Sequence, residues 1–176
     1  MSSREWTPCP GCGARLPPGD GPTHRYIGAS PACWAIYSAL LNAGEPPVAP
    51  TPALAQLVDA YAAQHPGAPS AQATQSVAVH LLALYGVLVK GVAVDRLVWL
   101  RTKALRARPG EKHGRFQWLT PPDFAGSLNV AAVAGAPTPP ARAGLVERYV
   151  RQVWERWAPG HAPTIARWYA AFVEKE

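Results

Sequence analysis

Residues 70–89, SAQATQSVAVHLLALYGVLV, decide the fold. Ser70 offers an N-cap, and Val77, Leu81, Leu84, Tyr85 and Leu88 recur at helical spacing. Val79 and Leu82 extend the apolar character round most of the circumference. A helix that is apolar on nearly every side sits at the centre of a protein. The remaining segments must therefore cover it.

Working outward, the same signals mark the other helices. Ser30-Pro31 is a cap followed by proline in the first helical position, which predicts a helix over Pro31 to Asn42 with Trp34, Tyr37 and Leu41 on one stripe. Thr51-Pro52 repeats that logic for a second helix, carrying Leu54, Leu57, Val58 and Tyr61. It ends near His65, because the residue before a proline avoids the helical region and Pro66-Gly67 follow. Beyond Gly91 a fourth helix carries Val94, Leu97, Val98, Leu100 and Leu105 and ends near Arg108-Pro109-Gly110. Residues 111–140 are broken by Pro121-Pro122 and by the prolines from Pro137 to Pro140, with Leu128 to Val133 a short helix or strand. Leu145, Tyr149, Val153 and Trp157 define a fifth helix, which Pro159-Gly160 should end. Ile165, Trp168, Tyr169, Phe172 and Val173 define a sixth. The expected architecture is all-α: a bundle of about six helices, one domain over 1–176, with residues 1–29 a zinc-knuckle-like loop packed on a helical body of residues 30–176.

Composition agrees with a globular chain. The 176 residues include 48% hydrophobic and 16% charged residues, with a formal charge of +6. At this length a core can be buried without a disulfide framework. No basic region followed by an apolar run opens the chain, and the apolar stretch from Val77 to Val89 is interrupted by His80 and followed by Lys90, so neither a signal peptide nor a membrane span is expected. Three cysteines are an odd number, which with the absence of export signals points away from disulfides and towards the cytoplasm.

The strongest chemical signal is Cys9-Pro10-Gly11-Cys12-Gly13. Two cysteines separated by two residues turn both thiolates towards one ion, and the glycines permit the tight turn. This is half of a zinc ribbon, but the only remaining cysteine is Cys33. Cys33 falls in the first turn of the first helix, where free amides and the helix dipole should favour a thiolate. Tetrahedral zinc then needs a fourth donor. His24, between Cys12 and Cys33, is the nearest, whereas His80 and His65 reach only through the tertiary fold. The expected site is Zn2+ on Cys9, Cys12, His24 and Cys33. A redox pair or unliganded thiols are the competing readings, and the first lacks the strand-to-helix setting such pairs use.

A second group, Asp59, His65, His80 and His161, consists of polar residues on, or at the ends of, apolar helices. A carboxylate with two or three imidazoles can hold a metal with an open position, or work as an acid/base pair on a small molecule. The ordinary alternative is a set of hydrogen-bonded core and cap histidines.

The segments CPGCGARLP, THRYIGASPACWAIY, VDAYAAQHPG, QSVAVHLLALY, FQWLTPP and VWERWAPGHAPTIARW together resemble a bacterial family of domains of unknown function that opens on Cys-Pro-x-Cys-Gly. The resemblance implies that Cys9, Cys12, His24, Cys33, Asp59, His65, His80 and His161 belong to recurrent motifs. It implies no activity. The closing motif is expected to carry paired histidines, and here Gly160 precedes His161.

Three functions compete. The first is a zinc-clasped helical protein with an Asp/His pocket for a second metal or small molecule, possible hydrolysis included. The second is a nucleic-acid-binding or regulatory module built on the basic segment 96–115, where Arg96, Arg101, Lys103, Arg106, Arg108, Lys112 and Arg115 interleave with Trp99, although Trp99 reads as core. The third is an interaction protein with structural zinc only, using the aromatic residues of the last two helices.

Overall fold

A computed structural model of the protein describes residues 6–42, 52–106 and 116–174. Six α-helices are found among them: α1 Pro31–Asn42, α2 Pro52–Gln64, α3 Ala71–Leu88, α4 Leu97–Arg106, α5 Val130–Ala134 and α6 Pro139–Tyr169. A short 3-10 turn, Val94–Arg96, leads into α4, and one π-helical turn, Ala170–Glu174, extends α6. The cap expected of Thr51 and the helix end expected at 108–110 lie outside the described residues.

The central helix is as its apolar circumference requires. Ser70 Oγ accepts from the Ala73 amide, and Val77, Leu81, Leu82, Leu84 and Tyr85 are buried. Helix α3 packs against α2, α4 and α6, and α2 packs against α6. It is also the one described helix long and apolar enough, by composition, to cross a membrane. Here those apolar side chains face other helices.

The last two expected helices are one. Pro159 and Pro163 lie inside α6, and neither ends it. An internal proline removes one backbone hydrogen bond and costs about 3 kcal/mol. Both prolines are exposed, as is Gly160, so the carbonyls they leave unbonded face water. On the opposite side Val146, Tyr149, Val150, Val153, Trp157, Ile165 and Tyr169 keep one continuous buried stripe. Burial of that stripe outweighs the local breakers. The helix starts where prolines were read as interruptions: Thr138 Oγ1 accepts from the Ala141 amide, with Pro139 and Pro140 in the first two helical positions. The aromatic residues fill the interior edge: Trp154 meets Tyr85, and Phe116 is held between Trp168 and Phe172.

Before α1 the chain forms a two-strand hairpin, β1 Thr7–Pro8 and β2 Arg15–Leu16, antiparallel with Thr7 opposite Leu16 and Pro8 opposite Arg15. Its turn is closed by the Cys9 amide on the Ala14 carbonyl and the Gly13 amide on the Cys9 carbonyl, both at 2.8 Å. Gly13 has φ +71°, a conformation that costs glycine little. The Gly28 amide donates to the His65 carbonyl at 2.9 Å, and Ile27 pairs with Pro66. These contacts seat the N-terminal segment on the end of α2.

Candidate metal centre

The hairpin, α1 and the end of α2 bring four donors together. Cys9 Sγ, Cys12 Sγ, Cys33 Sγ and a His65 ring nitrogen lie within 4.8 Å of one another. All four residues are buried, at 2%, 1%, 0% and 0% exposure. Cys12 and Cys33 sulfurs are 3.9 Å apart, and Cys33 Sγ is 3.4 Å from His65 Nε2. A closed tetrahedral site with three thiolates and one imidazole needs this donor set.

Three of the four donors are held by specific contacts from outside the group. The Ser30 amide donates to Cys9 Sγ at 3.3 Å, and the Cys33 amide donates to Ser30 Oγ at 3.3 Å, so the cap of α1 orients two ligands. Tyr61 donates its hydroxyl to Cys33 Sγ at 3.7 Å. One turn further along α2, His65 Nδ1 is 2.8 Å from the Tyr61 carbonyl oxygen. A carbonyl only accepts, so Nδ1 carries the proton and Nε2 presents its lone pair to the sulfurs. Gly11 is required by crowding: a Cβ there would come within 2.4 Å of the His65 ring and 2.8 Å of the Gly28 carbonyl oxygen.

The three thiols are coupled. Hydrogen bonds from Cys12 and then Cys33 hold the Cys9 thiol far below its ordinary range. Cys12 is raised to about 11: its hydrogen bond with Cys33 pulls it down, while that with Cys9 and burial push it up by more. Cys33 is raised well above the ordinary value by its contacts with Cys12 and Cys9 and by burial. The contacts among the three sulfurs push Cys33 up, against the lowering expected from its first-turn position. A bound cation is what would let three clustered sulfurs be thiolates together.

His24 does not stand in this group. Its ring packs edge-on to Tyr26 at 4.3 Å and tilted on Trp34 at 5.4 Å. The place expected of His24 is taken by His65, because the contacts of Ile27 and Gly28 with Pro66 and His65 press the end of α2 against the sulfurs. Sequence distance favours His24, and only the tertiary fold brings in a donor 32 residues beyond Cys33.

The structure also divides the second expected cluster. His65 belongs with the cysteines. His161, inside α6, donates from Nε2 to the Thr120 carbonyl at 2.8 Å and lies tilted against Trp157. Asp59 and His80 do meet: His80 Nδ1 is 2.8 Å from Asp59 Oδ1. A residue not foreseen there joins them. Arg101 donates from Nε to Asp59 Oδ1 at 2.8 Å, and from Nη2 to Asp59 Oδ2 at 2.6 Å and to the Ala55 carbonyl at 2.7 Å. In the sequence Arg101 belongs to the basic segment 96–115, and its pairing with an aspartate on another helix is not visible in spacing. Both oxygens of the buried Asp59 are thus used by nitrogen donors. Among the described residues the Cys3His group alone gathers three or more metal-ligating side chains.

The two centres are distinct but linked. Tyr61, on Cys33, stacks face to face on Tyr37 with ring centroids 3.8 Å apart and planes 5° from parallel. The Tyr37 phenol is pushed up to about 12 by burial and then by the charge of Asp59, against a smaller opposing pull from Arg101.

With this geometry in hand, comparison with known families is informative. A profile described as a family of unknown function (DUF5946) matches residues 7–158. The chain belongs to this family. Comparison with curated proteins and with solved structures gave no match. The DUF5946 segment contains all four residues of the Cys3His group, the Asp59–His80–Arg101 cluster and most of α6.

Proposed function

We propose that Cys9, Cys12, Cys33 and His65 hold one zinc ion, and that this ion is structural, clasping the hairpin and α1 onto α2 in a protein of a reducing compartment such as the cytoplasm. The observation that carries the reading is the burial of four converging donors with the His65 tautomer already set for ligation. Zinc is favoured over harder ions because three of the donors are sulfur. A closed four-donor set leaves no open position for substrate, which is the character of a structural site. Elemental mass spectrometry on protein purified without added metal tests this. One zinc per chain is expected in the native protein and in His24→Ala. Zinc absent from the native protein, or lost with His24, overturns it.

A second reading, polyanion binding by α4, rests on Trp99. Its side chain is 39% exposed rather than core, with the Arg96 guanidinium 4.6 Å and the Lys103 ammonium 5.5 Å from its ring. Filter binding of single-stranded DNA across a salt series tests it, since phosphate neutralisation gives a steep negative salt slope and a flat response excludes it.

A further inference from the structure

The Asp59–His80–Arg101 cluster has spare chemistry that packing does not use. Asp59 is buried at the junction of α2, α3 and α4 and accepts three hydrogen bonds. Paired with a guanidinium on both oxygens, it can only accept, so the proton shared with His80 sits on Nδ1. In the neutral ring the lone pair is then on Nε2. Nε2 has no hydrogen-bond partner among the described residues, and the His80 side chain is 18% exposed, so water reaches this edge of the molecule. Arg101, 20% exposed, likewise keeps Nη1 without an acceptor among the described residues.

This is the arrangement of a general base: an imidazole oriented by a buried carboxylate, with the other nitrogen open. A merely structural hub would be served as well by a fully enclosed histidine. Arg101 strengthens the arrangement by fixing the Asp59 carboxylate through its flat edge, and its outer nitrogen offers a donor for an oxygen of the ligand.

We propose that His80 Nε2 is the general base of a second, hydrolytic site acting on small carbonyl esters, with Asp59 as a positioning residue and Arg101 Nη1 as a donor to an ester oxygen. A water gives its proton to Nε2 as its oxygen forms a bond to the carbonyl carbon, and the π electron pair moves to the carbonyl oxygen. The resulting imidazolium keeps its Nδ1–H bond to Asp59. As the tetrahedral adduct collapses, the carbonyl re-forms, the ester C–O bond breaks with its electron pair leaving on the alcohol oxygen, and the proton on Nε2 passes to that oxygen or to water. No metal enters these steps, so the proposal does not rest on the zinc reading.

The test is hydrolysis of p-nitrophenyl acetate by the full chain, native and His80→Gln, in H2O and D2O, with zinc content and helicity measured alongside. Gln can still donate to Asp59, which protects the fold. The native protein should exceed an equal concentration of free imidazole and run slower in D2O, while His80→Gln should lose about 10²-fold or more with zinc and helicity unchanged. Nitrogen-15 histidine spectra of the native protein give a check without a variant: His80 should show a protonated Nδ1 and a bare Nε2, and Asp59→Asn should disturb that tautomer and lower the rate together. A native rate no greater than free imidazole, a His80→Gln protein as active as native, or a protonated Nε2 in the neutral ring overturns the proposal.

Discussion

The molecule contains two polar centres within one helical body, and they solve burial in opposite ways. At the Cys3His group four buried donors converge, and the Ser30 amide and the Tyr61 hydroxyl donate to two of the sulfurs. At Asp59 the charge is answered by Arg101 and His80, and the spare nitrogens lie at the edge of the protein. The first centre has the donor set that a cation could complete. The second is complete in itself and keeps polar atoms for something outside. Burying ionic groups costs several kcal/mol unless each is paired, so three buried thiolates together would call for a cation, whereas the Asp59 carboxylate is already paired.

This contrast orders the effects of substitution. The largest is expected for Cys33→Ser, which removes a donor at the meeting point of α1, Tyr61 and His65. Metal content should fall from about one per chain to near zero, and because metal binding is folding energy the midpoint of thermal unfolding should drop further than for any other single change here. Asp59→Ala comes next. It leaves Arg101 without its partner, and should cost about 3–5 kcal/mol in denaturant unfolding while the zinc content stays at the native level. If zinc is lost as well, the two centres are not independent. Gly11→Ala should cost about 1–3 kcal/mol by overpacking against His65, and should weaken zinc retention against a chelator, because the displaced ring is the proposed fourth ligand. The smallest effect belongs to the stacked tyrosines between the centres. Tyr37 titrates near 12 in the folded protein and near 10.0 when unfolded, so its neutral form supports folding below pH 10 and that support is lost between pH 10 and 12. Tyr37→Phe should therefore show a shallower alkaline loss of stability over that window than the native chain, read from urea midpoints. Identical slopes would mean that the phenol is not held by burial and Asp59.

Much of the fold was legible because helix signals are local. Ser30-Pro31 set the start of α1, Ser70 capped α3, and the apolar circumference of α3 announced its central place. Two readings failed where tertiary burial overrode local chemistry. Pro159-Gly160 is a stop signal in isolation, yet it sits on the wet face of a helix whose other face is continuously buried. Pro139-Pro140 read as interruption, although Thr138 before them repeats the cap-then-proline pattern used at Ser30-Pro31. The site divides in the same way. Cys9, Cys12 and Cys33 could be named from residue type and spacing, since the pair shares one turn and the third lies in the first turn of a helix. The choice of His65 over His24, and the arrival of Arg101 at Asp59, depend on which helix ends meet, and no spacing encodes that.

The most direct test of the account is X-ray absorption at the zinc edge on protein purified without added metal. Three sulfurs at about 2.3 Å and one nitrogen at about 2.0–2.1 Å are predicted, with the nitrogen signal surviving in His24→Ala. A zinc shell with fewer than three sulfurs, or loss of the nitrogen when His24 is removed, would contradict the Cys9–Cys12–Cys33–His65 centre.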